Sequence, residues 1–187
     1  MRHRRDDVVA RALSVLDDHG LADLTMRRLG TELGVQPSAV YHHFPSKQVL
    51  LAAVADEILA RGARPLPEGA WDDRVRASCH TLRDACLAWT DGAEVVATAR
   101  AFGLGARAPY DELVGVMVAG GVTEELAGSA ARTLLHFVLG HVVDEQTHRQ
   151  AGSVGAIDSD PTSADHTADF GTGIDLVLAG LRVRVVG

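Results

Sequence analysis

Apolar residues recur along this chain at steps of three and four, and no stretch shows the period-two alternation of a half-buried strand. The first run, Arg5 to His19, sets Val9, Leu13 and Leu16 on one face and meets a helix stop at Gly20. Thr25 can cap a short helix to Leu33 with Met26, Leu29 and Leu33 as its apolar positions. Gly34-Val35-Gln36 then makes a tight turn. Pro37 fits the first position of a further short helix, ending near His43, because its missing N–H has no helical partner there in any case. Ser46 caps a longer helix to about Arg61 that carries Leu50, Leu51, Val54, Ile58 and Leu59.

The Gly- and Pro-containing stretch GARPLPEGA, residues 62–70, predicts a loop and a joint between two parts. A stripe of Trp71, Val75, Cys79, Leu82, Cys86 and Trp89 predicts the next helix, broken at Asp91-Gly92. Further helices are expected from Ala93 to Phe102 and from Pro109 to Gly120-Gly121. Another runs from Thr123, a cap followed by the first-turn acids Glu124 and Glu125, to about Gln150. Residues 151–165 lack periodicity and are expected to be mobile. The last helix, about His166 to Arg184, carries Phe170, Ile174, Val177, Leu178 and Leu181. The sum is an all-α chain of about nine helices with no solenoid repeat.

Composition refines this picture. With 47% hydrophobic but only 4% aromatic residues among 187, the core must be built from Ala, Val and Leu. No run of about 18 apolar residues is present to span a membrane, and MRHRRDDVV lacks an apolar signal region. The chain is expected to be cytoplasmic, with no membrane partner. Cys79 and Cys86, seven apart on one helix, would have Cα atoms about 10 Å apart, too far for a bridge, so they read as small core residues.

The net charge of -7 is unevenly spread. Residues 1–47 hold seven Lys and Arg against six Asp and Glu, or +1, which leaves -8 for the remainder. An acidic body repels phosphate; a near-neutral head need not. Within that head, two short helices joined by a three-residue turn containing Gly make a helix-turn-helix pattern. Its core asks for apolar residues at Leu29, Leu33, Val35, Val40 and Phe44. Gln36, Pro37, Ser38, Ala39, Tyr41, His42 and His43 are then left facing outward. Such a surface suits a major groove, where small residues permit close approach and Gln, Ser, Tyr and His offer hydrogen bonds to bases and phosphates.

The block LTMRRLGTELGVQPSAVYHHFPSKQVLLAAVADEIL, residues 24–59, resembles the DNA-binding head of the tetracycline-repressor (TetR) family. Trp71, Asp91-Gly92-Ala93, FVLGHVVDEQ at 137–146 and FGTGIDLVLAGL at 170–181 are similar to the effector domain of the tetracycline repressor's own subgroup. The resemblance implies a helix-turn-helix DNA-binding domain over 1–47, linked by helix 46–61 to an effector-binding and dimerisation domain over 48–187. It implies DNA contacts from Thr25 and Arg27, with Arg28 adjoining, and base contacts from Gln36, Pro37, Ser38 and Ala39. Tyr41 and His43 would hold phosphates beside His42. Lys47, the chain's single lysine, would grip a phosphate at a helix start.

A homodimer is implied through helices 123–150 and 166–184, bringing two heads to a palindromic double-stranded DNA operator. Gly171, Gly173 and Gly180 fit close helix approach there. By resemblance Ser78, Leu82, Val96 and Arg100 line a pocket for a small effector, with Met117 and His136 added from the helix faces. Val96 stands where the tetracycline repressor has a metal-holding histidine, so a magnesium chelate is not expected and the effector should be mostly apolar. No cofactor and no enzymatic activity are expected, and repression is the expected sign. Two rivals stand beside this reading: a helical interaction module without DNA binding, and a metal-binding helical protein using His141, Asp144, Glu145 and His148 at helical spacing.

Overall fold

The computed structural model describes residues 3–153 and 163–185, which form nine helices with no strand among them. In chain order these are α1 (Arg5–Asp23), α2 (Met26–Glu32), α3 (Pro37–His43), α4 (Lys47–Gly62), α5 (Trp71–Leu87), α6 (Gly92–Ala101), α7 (Ala108–Ala119), α8 (Glu124–Ser153) and α9 (Ser163–Val185). Of the segment expected to lack structure, 151–153 close α8 and 163–165 open α9, while 154–162 lie outside the described residues.

Two further boundaries differ from expectation. At Gly20 the helix does not end but kinks, with φ 77°, and a further turn follows to Asp23. The Leu21 N–H freed by the kink donates to Asp91 Oδ2 at 2.8 Å, and that partner makes the extra turn possible. The fifth helix stops at Leu87, short of Trp89, because the chain reverses there: Trp89 N–H reaches back to Cys86 O, and Asp91 adopts the left-handed region at φ 54°. Asp is among the few residues that tolerate that region.

Contacts divide the chain into two compact units, Met1–Gly62 with Ala85–Ala106, and Ala63–Asp84 with Arg107–Gly187. In the first, α1 packs on α2 and α4, α2 on α3, and α4 on α6. Val8, Leu13, Leu16, Leu29, Val40, Phe44, Leu50, Ile58 and Val95 are almost fully buried in it, each such side chain contributing about 1.5–3 kcal/mol relative to exposure. Its later segment is tied to the earlier one by polar contacts. Thr90 Oγ1 donates to Asp17 O at 2.9 Å, and the Ala106 N–H donates to Asp56 Oδ1 at 2.7 Å.

In the second unit α7 packs on α8 and α8 on α9, around Leu113, Met117, Leu134, Leu135, Val138, Phe170, Ile174 and Leu178. The Phe137 ring stacks on Phe170 with centroids 5.8 Å apart and occupies the space a side chain at Gly173 would need. Close packing thus explains a residue that costs a helix about 1 kcal/mol. A Cβ added at Gly171 or Gly180 would meet no neighbouring atom within 4 Å among the described residues.

By length and composition alone α8 could cross a membrane, since Glu124–Gly152 contains an 18-residue window of mean hydropathy 1.3. Half of that window is buried within the chain, as befits a core helix. Glu145, 1% exposed, is held on its inner face by Arg83 at 2.9 and 3.1 Å and by Arg149 at 2.5 Å.

Candidate functional site

The helix-turn-helix is built by local backbone chemistry. Thr25 caps α2, its Oγ1 accepting the Arg28 N–H at 3.1 Å. Leu33 closes the helix onto Leu29 O, and Gly34 turns the chain at φ 67°, where a Cβ would be strained. The Val35 N–H returns to Gly30 O at 2.9 Å, and Gln36 stands extended ahead of Pro37, the first residue of α3. Leu29, Val40 and Phe44 are buried as expected, but Leu33 and Val35 are only half-buried. They line a groove of about 620 Å³ together with His3, Val8, Ala39, Val40, His42 and His43, which leaves one side of each open.

The outward set emerges as a surface. Thr25, Arg27, Gln36, Ser38, Ala39, Tyr41 and His42 are exposed, Tyr41 at 49%, while Arg28, Pro37, His43 and Lys47 are half-buried. All eleven lie in the first unit, from the cap of α2 to the first turn of α4. Their electrostatics differ. Arg28 lies 3.6 Å from Asp23 and 4.0 Å from Glu32, so its charge is partly answered within the chain. Lys47 Nζ donates to Leu21 O at 3.4 Å, beside the kinked end of α1. Ser46 Oγ accepts the Val49 N–H at 3.2 Å and caps α4 as its sequence implies.

The six residues expected to line an effector pocket are divided between the units. Val96 and Arg100 belong to the first, Val96 fully buried and Arg100 donating through Nη1 to Ala106 O at 3.1 Å. Ser78, Leu82, Met117 and His136 belong to the second. Ser78 is buried and donates to Glu112 Oε1 at 2.6 Å, Leu82 and Met117 are buried, and His136 is exposed on α8. Burial pushes the Cys79 and Cys86 thiols up to about 12, which keeps both protonated and inert near neutral pH. No group of three or more His, Cys, Asp or Glu is arranged to hold a metal among the described residues. Of the four metal candidates, Glu145 is already taken by two guanidiniums, and His141 lies against the Phe170 ring at 5.2 Å between centroids.

Comparison with known proteins settles what this arrangement belongs to. Residues 8–54 match the model described as bacterial regulatory proteins, tetR family, and residues 64–162 match the tetracyclin repressor-like C-terminal domain. The chain is a member of the TetR family. Across 95% of its length it is 30% identical to the class A tetracycline repressor protein from transposon 1721 of Escherichia coli, covering 89% of that protein. The crystal structure of Mycobacterium smegmatis BioQ is similar with TM-score 0.87 and 44% identity, over 96% of this chain and 97% of that one. A BioQ crystallised with its natural double-stranded DNA operator is similar with TM-score 0.79 and 43% identity, over 96% and 98%. TetR-family proteins are ligand-responsive, dimeric transcriptional regulators that bind DNA through an N-terminal helix-turn-helix, and neither the interaction-module nor the metal-protein reading is favoured.

Three features of this TetR-family chain were not read from its sequence. His3 Nε2 lies 2.9 Å from Leu33 O, and the Arg5 guanidinium sits 4.6 Å over the Phe44 ring. Both contacts join residues 30 or more apart and leave no periodic signal. The Arg83–Glu145 pair did leave one. Glu145 continues the stripe Ala131, Leu135, Val138, Val142 at alternating steps of four and three, so a carboxylate at that position demands a buried cation.

Proposed function

We propose that this chain is a homodimeric repressor that reads a palindromic operator with the outward face of α3 and is released by a small, mostly apolar effector. The observation that carries this is the surface at α3. Gln36, Ser38, Ala39, Tyr41 and His42 are exposed around a helix whose Val40 and following Phe44 anchor it to the head. Gln36, Pro37, Ser38 and Ala39 at its tip meet base edges. Thr25, Arg27, Arg28, Tyr41, His42, His43 and Lys47 hold the backbone on either side. The operator carried by the similar BioQ structure supports this assignment.

One head of this size spans a half-site, and two reach successive grooves about 34–36 Å apart. Dimerisation runs through helices 123–150 and 166–184. Leu176 and Val183, 72% and 77% exposed, stand with Gly180 on one stripe of α9 that the described residues leave uncovered. Functionally the head is 1–47 and the effector and dimer domain 48–187, with α4 carrying the link between them. Ser78, Leu82, Val96 and Met117, with Arg100 and His136 as polar members, receive the effector. Its preference for the DNA-released conformation weakens operator binding by the same coupling factor that operator binding weakens the effector. The chain works in the cytoplasm without cofactor or catalysis.

Selection of the purified protein against a random pool of duplex DNA at near-physiological salt tests this reading. Enrichment of a two-fold symmetric site is the expected result. A folded dimer that enriches nothing would return the chain to the interaction-module reading.

A further inference from the structure

The recognition helix carries no Arg or Lys over Pro37–His43, and its C-terminal end carries the partial negative charge of the helix dipole. That end repels the phosphates that Tyr41 and His43 are assigned to hold. The nearby Arg28 is shared with Asp23 and Glu32, and Lys47 donates to Leu21 O. A source of positive charge beside this end lies elsewhere in sequence but not in space. His3 is fixed to Leu33 O at 2.9 Å and shares a groove with His42 and His43, and Arg5 is laid on Phe44, the residue after α3. Two ties of high sequence separation thus hold the residues before and at the start of α1 against the recognition helix.

Between those anchors stands Arg4, exposed, its backbone N–H donating to Asp7 Oδ2 at 2.7 Å. The acids of the same turn, Asp6 and Asp7, line together with Arg5 a groove against Val49, Ala52 and Asp56 of α4. We propose that His3–Arg4–Arg5 is a second DNA-contacting element, in which His3 and Arg5 brace the segment and the Arg4 guanidinium binds a backbone phosphate beyond the bases read by α3. The partner is the operator duplex, so the inference rests on the DNA-binding reading above. Arg suits the role because its fork pairs with phosphate through two N–H groups and does not lose its charge at any pH the protein meets.

The salt dependence of operator binding isolates this contact. Each phosphate neutralised adds about 0.9 to the slope of log K against log salt, so one contact per protomer gives roughly 2 for a dimer. The full-length protein, Arg4→Gln and Arg4→Lys are compared on the selected operator by fluorescence anisotropy across a salt series. Arg4→Gln is expected to lower the slope by about 2, Arg4→Lys to keep it, and both to unfold at the wild-type midpoint. His3→Ala is expected to weaken binding with a smaller change in slope. An Arg4→Gln protein with the wild-type slope would overturn the inference while leaving the α3 assignment standing. A wild-type protein without selective, salt-dependent DNA binding would overturn the assignment itself, which keeps the two failures apart.

Discussion

Polar residues on α3 and polar residues on α5 and α8 are treated in opposite ways. On α3, Ser38, Tyr41 and His42 are exposed beyond a core of one valine and the adjoining Phe44. On α5 and α8, Ser78, Arg83 and Glu145 are buried, and each finds its partner inside the chain: Ser78 with Glu112, Arg83 with Glu145, Glu145 also with Arg149. A buried charge must be answered within the fold because desolvation is too costly otherwise. An exposed set of donors on a two-turn helix does little for folding and remains available to an outside partner. Function in the head therefore separates from stability, while in the second unit polar chemistry and stability are the same thing.

That contrast is broken most sharply at Glu145. Glu145→Ala leaves Arg83 buried without its carboxylate and should cost about 3–5 kcal/mol in urea unfolding, whereas the double change Arg83→Met with Glu145→Leu should be near neutral or stabilising. If Glu145→Ala unfolds like wild type, the pair is not what holds α5 to α8. A smaller effect is expected in the head itself. Gly34→Ala forces a Cβ into the left-handed turn at φ 67°, where the added methyl meets no atom of the other described residues within 4 Å. Backbone strain alone should therefore cost about 1–2 kcal/mol by thermal unfolding. Thr25→Ala removes the α2 cap at about 1 kcal/mol, and Thr25→Ser should restore it. An unchanged melting curve for Thr25→Ala would show that the cap is dispensable.

The pH response belongs to the second unit and is weaker again. Burial holds His80 below its ordinary value, helped by the neighbouring Arg83 and Arg76 guanidiniums and opposed by Asp84. Its ring is packed edge-on to Phe170 at 5.1 Å. A histidine with a depressed folded-state value is protonated first in the unfolded chain, so the stability it confers is present above the ordinary imidazole value near 6.5 and lost as pH falls through it. Unfolding followed from pH 7.5 to 5.5 should show this decline, and His80→Phe should flatten it; equal slopes for both proteins would count against the assignment.

Helix existence and most helix ends were legible in the sequence because caps, prolines and apolar periodicity are local. Thr25, Pro37 and Ser46 sit at the helix starts they announce. What was not legible depends on residues far apart in sequence. The continuation of α1 past Gly20 needs Asp91, 70 residues on from the Leu21 N–H it accepts, and the early stop of α5 needs the chain to reverse at Trp89. Leu33 and Val35 looked like core because they are apolar and correctly spaced, but spacing does not reveal that they border an open groove. The exposed residues of α3 were readable for a simpler reason: with Val40 and Phe44 fixed inward, helical geometry turns Ser38, Ala39, Tyr41 and His42 outward, while Pro37 and His43 at its two ends stay half-buried. The residues proposed to meet an effector lack any such constraint, since a pocket-lining Leu or Met has the same periodicity as a core one.

Tyr41 tests the central separation most directly, through one variant measured twice. Its hydroxyl, on a half-exposed ring, is assigned to a phosphate, a charge-assisted bond worth about 1.5–3 kcal/mol per protomer. Tyr41→Ala should weaken binding of the dimer to its selected operator by about a hundredfold or more, while its unfolding free energy stays within about 0.5 kcal/mol of wild type. Operator binding that survives the substitution, or that is lost only in step with stability, would contradict the account.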